Sequence, residues 1–323
     1  MKISYNLGSL LTINQILDCI RIIKKNRISN MVWIPETWGM ETFSMLGAIS
    51  SMIPNVEIGT SIINVYSRSP SLIAMAAATL DTLSNGKFVL GLGVSTDQII
   101  KNFHGYKYES QLLRIQEYVE IIRLTLTQNK VFYNGKLFKL KNFTLLIRPK
   151  RTKIPIYLAA VNKNMIKLAE QIADGVIFYL RPIENMKNII RKTRSKQFKY
   201  NCQFITCMSY DVDDAICRVQ KTLAFYISVS KLYRNFLAQC GFNNEVNNIY
   251  NEFLSTGFKY NHKLISKRML DSLTIYGSPE DCIKQLLKIK KTGLDLAILQ
   301  FNPYDQNEVN KSFNLLVDKI SSI

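Results

Sequence analysis

"VLGLGVSTD", residues 89–97, is an apolar run that ends in Gly-x-Gly and then in small polar residues. Such a stretch can open a dinucleotide-binding fold, which needs a third Gly three residues after the second and an acidic residue about 20 residues further on. Position 96 is Thr, and the region at the required distance, "QEYVEII", has a helical pattern. Three strand–helix units also precede the stretch, whereas the fingerprint usually opens the first unit. The sequence therefore argues against a Rossmann site.

The wider chain alternates apolar strands with helical patterns. The strands are apolar throughout, which is typical of parallel strands that are covered on both faces. Eight such units in one chain favour a (β/α)8 TIM barrel, with a doubly wound sheet plus a helical domain as the alternative. The predicted strands are residues 2–8, 29–35, 56–64, 87–93, 153–160, 176–180, 200–209 and 295–301.

In such a barrel, residues 1–323 form a single domain with two insertions. Residues 130–147 form a hairpin after the fourth helix, since Asn134-Gly135 is a strong signal for a two-residue hairpin turn. Residues 211–292 form a long, mainly helical insertion before the eighth strand. The two glycines of residues 91–95 then end the fourth strand, at the barrel face where active sites lie. They indicate either close approach to a ligand or tight packing of the strand.

Composition excludes several classes of protein. The 42 Lys and Arg residues outnumber the 24 Asp and Glu residues, but they are scattered, so we expect a basic solvated surface or attraction of an anionic small ligand rather than nucleic-acid binding. No apolar stretch is long enough for a membrane span, and we expect no signal peptide. Six cysteines without a C-x-x-C pair, and only two histidines, predict free thiols in a cytoplasmic protein without a metal site.

Four segments together resemble the luciferase-like monooxygenase superfamily, and within it the coenzyme F420-dependent oxidoreductases of the methylenetetrahydromethanopterin reductase type. The resemblance implies a TIM barrel with insertions, usually a homodimer, that holds a flavin or a 5-deazaflavin at its C-terminal face beside a small-molecule substrate. The segments are "VWIPETWG" (32–39), "EIGTSIINVYSRSPSLIAMAAATLDTLSNGKFVLGLGVS" (57–95, of which 69–93 is the most specific piece), "FHGYKYES" (103–110) and "IPIYLAAVNKNMIKLAEQIADGVIF" (154–178).

The same resemblance implies which residues bind the cofactor, either coenzyme F420 or, as the alternative, FMN. The third strand is expected to carry a bulge, with Ser61-Ile62 as the candidate for a non-prolyl cis peptide and Asn64 as a hydrogen-bond partner of the ring. The cofactor phosphate is expected at the loops after the fourth and fifth strands, where a helix N-terminus suits an anion. The candidates in these loops are Gly93, Val94, Ser95, Ala159, Ala160, Val161 and Asn162.

Three further residues are candidates for a catalytic role. Glu36 ends the second strand and could donate a proton or contact the ring, or could instead form a salt bridge. Trp38 could wall the substrate pocket or pack under a helix, and Arg68 could bind an anionic substrate or pair with an acid. The sugar-phosphate dehydrogenases of the superfamily have His and Glu where this chain has Thr37 and Thr96, which argues against sugar oxidation.

Three functions are compatible with the sequence. The first is an F420-dependent oxidoreductase that transfers hydride to or from an unknown small organic substrate, with the cofactor carrying the chemistry. The second is an FMN-dependent luciferase-like monooxygenase. The third is a barrel that has lost its cofactor and serves as a partner subunit.

Overall fold

A computed structural model describes residues 1–26, 31–54, 56–193, 195 and 197–321. Ser29 and Asn30, the first residues of the predicted second strand, lie outside this part of the chain. The strands are β1 (Lys2–Asn6), β2 (Val32–Ile34), β3 (Ile58–Thr60), β4 (Ile63–Asn64), β5 (Phe88–Gly93), β6 (Val131–Asn134), β7 (Lys139–Phe143), β8 (Ile156–Ala159), β9 (Gly175–Tyr179), β10 (Lys199–Met208), β11 (Thr274–Gly277) and β12 (Leu296–Phe301).

Eight of these strands close into a parallel barrel. Their order is β1, β2, β3, β5, β8, β9, β10 and β12, and β12 pairs again with β1. Tyr5 aligns with Leu299 in the closing pair, and Cys202 in β10 aligns with both Phe178 and Ala297. The predicted TIM barrel is confirmed. The doubly wound alternative is wrong, because the sheet closes on itself.

Helices connect the strands and cover the outside of the barrel. Thr12 caps the first helix in a capping box with Gln15, and Ser69 caps the third helix with Pro70 in its first turn. The helices are α1 (Ile13–Lys25), α2 (Thr42–Met52), α3 (Pro70–Leu83), α4 (Gln111–Thr127), α5 (Lys163–Ile172), α6 (Ile183–Thr193), α7 (Val212–Val229), α8 (Lys231–Leu237), α9 (Asn243–Thr256), α10 (Lys267–Leu273), α11 (Pro279–Lys290) and α12 (Val309–Ile320).

The hairpin of β6 and β7 is fastened to α4 by a buried carboxylate. Its connection is residues 135–138, so the two-residue turn predicted at Asn134-Gly135 is wrong. Glu117 of α4 is 3% exposed and accepts hydrogen bonds from the backbone amides of Lys136, Leu137 and Phe138 at 2.8–3.2 Å. The four-residue connection leaves three amides without partners in the hairpin, and the Glu117 carboxylate stabilises it by accepting from all three.

Residues 211–292, predicted as mainly helical, contain the helices α7 to α11 and one strand, β11, that the sequence did not predict. β11 pairs with β10 outside the barrel circuit, with Thr206 aligned to Ile275. The helices pack over a second hydrophobic core that includes Leu223 and Met269, both fully or almost fully buried. Across the described residues, no helix is both long and apolar enough to cross a membrane.

The barrel interior is closed by large apolar side chains. Trp33 is fully buried, donates through its indole Nε1 to Ser4 Oγ at 3.0 Å, and stacks on Tyr157 with ring centroids 6.3 Å apart. A Cβ at Gly59 would lie 2.6 Å from the Trp33 ring, so the layer has no spare space. This layer of the barrel interior therefore leaves no room for a ligand, and TIM-barrel sites lie at the C-terminal ends of the strands.

Candidate active site at the C-terminal end of the barrel

The third barrel strand carries the expected bulge. Gly59 pairs with Val89 in β5, and Ile63 pairs with Leu92, so three residues of one strand lie opposite two of the other. The peptide bond between Ser61 and Ile62 is cis, as predicted. The bulge therefore interrupts the ladder where the strand reaches the barrel mouth.

Thr60 and Gly91 replace the missing ladder hydrogen bonds at the bulge. The Thr60 hydroxyl donates to the Gly91 carbonyl at 2.7 Å and accepts from the Gly91 amide at 2.8 Å. A Cβ at Gly91 would lie 2.0 Å from the Thr60 carbonyl oxygen, which no side chain tolerates. The first glycine of the Gly-x-Gly pair is thus explained by close packing of two backbones.

Gly93 makes room for a side chain rather than for a backbone. A Cβ there would lie 2.8 Å from Ile62 Cδ1 and 3.2 Å from Ala159 Cβ. Ile62 is half-buried at the barrel mouth and packs on the buried cluster that contains Trp33. The Gly93 carbonyl accepts from the Val65 amide at 3.0 Å. The second glycine therefore fixes the position of Ile62.

A ring of polar side chains lines the mouth above the apolar layer. Apart from Ser61, these residues were not among the candidates predicted from the sequence. Asn6 donates through Nδ2 to Ser61 Oγ at 2.5 Å. Tyr179 and Gln203 both donate to Gln300 Oε1, at 2.7 and 3.0 Å. Burial raises the pKa of Tyr179 well above its usual value, so its hydroxyl remains a donor. The available signal was a polar residue near the end of an otherwise apolar strand.

Asn64 holds the segment that follows the bulge. Its Oδ1 accepts from the backbone amides of Tyr66 and Ser67, both at 2.9 Å, and its Nδ2 lies 3.3 Å from His104 Nε2. The side chain is 2% exposed. Asn64, predicted as a ring partner, is thus brought beside His104 across the mouth.

Glu36 and Arg68 form an ion pair with each other. The guanidinium donates from Nη1 to Glu36 Oε1 at 2.6 Å and from Nη2 to Oε2 at 2.8 Å, and it also pairs with Glu41. Burial lowers the pKa of Arg68, but the contacts with Glu36 and Glu41 outweigh it and raise the pKa. Glu36 also accepts from the Thr42 amide at 3.3 Å. The arrangement is the salt bridge that the sequence offered as one interpretation of both residues.

Trp38 stands at the rim of the mouth. It is 46% exposed and contacts Phe225 of α7 edge to face, with centroids 5.5 Å apart. Phe225 in turn contacts Phe258, which is 50% exposed. Residues from the 211–292 segment therefore extend the aromatic wall that Trp38 begins.

The predicted phosphate-binding residues lie in two neighbouring loops. Val94 and Ser95 follow β5, and Ser95 has a left-handed φ of 58°. Ala160 and Val161 follow β8, and Asn162 caps α5 by accepting from the Met165 amide at 2.9 Å. Since the first amides of a helix lack intrahelical partners, the start of α5 retains donors for an anion.

Arg181, which sequence analysis also missed, lies beside the second of these loops. It is 4% exposed and donates to the Val161 carbonyl and to Asn185 Oδ1. Its Nε has no hydrogen-bond partner, and no described carboxylate forms an ion pair with it. Burial lowers its pKa to about 10. A buried cation without a counter-ion is costly, which points to an anionic ligand.

Comparison with known proteins places the chain among oxidoreductases. The family described as luciferase-like monooxygenase matches residues 28–296. A 5,10-methylenetetrahydromethanopterin reductase of Archaeoglobus fulgidus is 28% identical over 81% of this chain and 82% of its own length.

Solved structures share the fold. The coenzyme F420-dependent tetrahydromethanopterin reductase of Methanopyrus kandleri superposes with a TM-score of 0.86 at 20% identity, covering 99% of this chain and 98% of that one. An F420-dependent secondary alcohol dehydrogenase, in complex with an F420-acetone adduct, gives a TM-score of 0.79 at 17% identity with the same coverage.

Proposed function

The chain belongs to the luciferase-like monooxygenase family, and from that premise we propose that it is an oxidoreductase that uses coenzyme F420 to transfer hydride to or from a small organic substrate. The observation that carries the proposal is the half-buried Ile62 at the barrel mouth, which packs on the buried cluster around Trp33 and fills the space that a side chain at Gly93 would need. An apolar shelf surrounded by hydrogen-bonding groups suits a planar heterocyclic ring. Similarity to two proteins described as F420-dependent favours the deazaflavin over FMN as the cofactor.

The residues at the mouth fit a ring of this kind. Ile62 would support one face of it, and the Ser61 hydroxyl, which accepts from Asn6, could still donate to the ring. The buried Asn64 would instead shape the backbone of the site through Tyr66 and Ser67. The orphaned Nε of Arg181 and the first amides of α5 fit the phosphate of such a cofactor at the loop of Val161.

The bound deazaflavin would supply the two-electron hydride chemistry. The protein would contribute position, since the polar ring fixes the orientation of the heterocycle and the aromatic wall of Trp38 and Phe225 excludes water from one side. The Glu36–Arg68 pair would hold the loops after β2 and β4 in register, as positioning residues rather than as a proton donor and an anion ligand.

Binding of the two cofactors tests the proposal directly. The purified protein is titrated with coenzyme F420 and separately with FMN, and the fluorescence of each cofactor is followed. We expect saturable binding of F420. Gly93→Ala should weaken this binding at least tenfold, because the added Cβ would displace the Ile62 side chain. Gly47→Ala is the matched control, since a Cβ there meets nothing within 4 Å.

Two results would contradict the proposal. Binding of FMN alone would favour the monooxygenase alternative, and binding of neither cofactor would favour the non-catalytic partner subunit. Thermal unfolding followed by circular dichroism establishes whether Gly93→Ala is folded. If that variant is folded and binds F420 as the wild type does, Ile62 is not the support of the ring.

We further infer that the protein is a cytoplasmic homodimer. Leu72, Met75 and Leu83 of α3 are 46–49% exposed on one face of the helix, and an exposed apolar face of this kind is typical of an interface. The six cysteines are all unpaired, which suits a reducing compartment. Sedimentation equilibrium of the wild type and of Met75→Lys tests the dimer. A monomeric wild type would contradict it.

A further inference from the structure

A cavity of about 470 Å³ lies next to the barrel mouth, in a place that the proposed function does not use. Residues 66–69, between β4 and α3, form one wall, and Arg114 and Tyr118 of α4 form another. Tyr106 and Lys107 lie at its edge, on the loop that leads into α4. The volume is within the range of small-molecule sites.

The cavity contains cations that the protein does not neutralise. Arg114 has a buried Nε without a hydrogen-bond partner, and neither Arg114 nor Lys107 takes part in an ion pair within the described residues. Arg68, the third cation, is already paired with Glu36. The only acid in the lining is Glu109, which is exposed. The inner part of the cavity is therefore positively charged.

The walls are fixed before any ligand enters. The Tyr66 hydroxyl donates to the Glu109 carbonyl at 2.8 Å, and the Tyr118 hydroxyl donates to the Arg68 carbonyl at 2.6 Å. Burial raises the pKa of Tyr118 to about 12, so this hydroxyl stays protonated at neutral pH. Both bonds join segments that are far apart in the chain, which reduces the entropy that a ligand would lose in ordering them.

The Arg114 guanidinium is held flat by aromatic rings. Its Cζ lies 4.6 Å from the centre of the Tyr66 ring and 5.5 Å from that of Phe138. Stacking of this kind orients the group without using its N–H donors. The Tyr66 and Tyr118 hydroxyls share some of these donors, whereas Nε has no hydrogen-bond partner, so the guanidinium can still receive a planar or tetrahedral oxyanion.

We propose that this cavity binds a carboxylate or phosphate group of a small molecule, with Arg114 as the main ligand and Lys107 at the entrance. The group can belong to a free anion or to the anionic end of a molecule whose other end occupies the barrel mouth. The second source is considered because Tyr66 of the cavity wall follows Asn64 of the barrel mouth by two positions in the chain.

Calorimetric titration with inorganic phosphate and with succinate tests the proposal on the full chain. We expect the wild type to bind at least one of these anions. Arg114→Gln should weaken binding tenfold or more, and Lys107→Gln should weaken it severalfold. Arg191→Gln, which removes an exposed arginine from the last turn of α6, is the matched control and should bind as the wild type does.

The stability of Arg114→Gln does not decide the outcome. If that variant fails to fold, Arg114→Lys is used instead. It keeps the positive charge but lacks the planar set of guanidinium donors, and we expect it to bind with intermediate affinity. Anion-dependent thermal stabilisation of the wild type gives a second readout. Absence of binding by the wild type, or equal binding by Arg114→Gln, overturns the proposal.

A competition experiment separates the two sources of the anion. If the cavity takes the anionic end of F420, saturating phosphate and Arg114→Gln will each weaken F420 binding. If it takes a free anion, F420 affinity will be unchanged while phosphate still binds. Should the wild type bind neither anion and Arg114→Gln convert a dimer into monomers, a second copy of the chain covers the cavity and the proposal is wrong.

Discussion

Glu36 and Arg68 lie 32 positions apart in the chain and form a two-pronged ion pair at the edge of the barrel mouth. Their side chains are only 11% and 15% exposed, so solvent screens the pair weakly. The pair joins the loop after β2 to the segment after β4, and Glu41 at the start of α2 contacts the same guanidinium.

A double-mutant cycle measures how strongly these two residues are coupled. We expect Glu36→Gln and Arg68→Gln each to lower the free energy of unfolding, and the pair to show a coupling energy of about 1–3 kcal/mol in urea titrations. Lys267 and Asp271, an exposed pair on α10, should show much weaker coupling. Coupling at Glu36–Arg68 no larger than in that surface pair would mean that the contact is not structural.

The hydroxyl of Thr60 should be essential to the bulge. Thr60→Val keeps the shape but leaves the amide and the carbonyl of Gly91 unpaired in a fully buried place, at about 1–3 kcal/mol for each group. Thr60→Ser keeps the hydroxyl and should retain most of the stability. Chemical denaturation of the two variants compares them, and equal losses would show that the methyl group matters rather than the hydrogen bonds.

Replacement of Arg181 should separate stability from ligand binding. Arg181→Met removes a buried charge that has no ion-pair partner but also removes its contacts with the Phe178 and Phe236 rings, so the free energy of unfolding without cofactor should change little. Affinity for coenzyme F420 should fall at least tenfold, since the phosphate loses its cation. Urea titration and fluorescence titration give the two values. A variant that is less stable and binds F420 normally would assign Arg181 to the fold alone.

Asp174 should make the fold sensitive to acid. Burial raises the pKa of this carboxyl, but hydrogen bonds from Lys153, the Ile156 amide and Arg123 outweigh burial and lower it. Because the folded state then holds fewer protons than the unfolded chain, the stabilisation is complete above the unfolded pKa of about 3.9 and is lost as pH falls through the lower folded value.

Unfolding measured between about pH 5 and pH 2 tests this dependence. Asp174→Asn should be less stable at neutral pH and should lose less stability on acidification than the wild type. Asp97→Asn, at a side chain that is 57% exposed, is the control and should follow the wild type. Parallel curves for the wild type and Asp174→Asn would exclude Asp174 as a source of acid sensitivity.

Local pattern was sufficient to predict the barrel. Each of the eight strands is an apolar run of its own, and helix starts such as Ser69-Pro70 carry their own signals. β11 was missed because its four residues follow α10 directly and become a strand only by pairing with β10, some 70 positions earlier. Such non-local pairing leaves no mark on the segment itself.

The site was predictable only in part, for the same reason. Ser61 and Ile62 were identified through resemblance, and the glycines through their position at a strand end. The sequence could not distinguish whether Glu36 faces a ligand or Arg68, because that depends on how two loops meet. Arg181 carries no local signal, since its lack of a counter-ion follows from the residues that surround it in the fold.

The carboxylate of Glu117 also has a dynamic consequence. Hairpin connections on a protein surface normally open by fraying and exchange their amide protons quickly. Here the amides of residues 136–138 bond to a side chain that is 3% exposed within α4. Their protons can exchange with solvent only when the hydrogen bonds to Glu117 break. We therefore expect slower exchange at residues 136–138 than at a connection whose amides bond only to water.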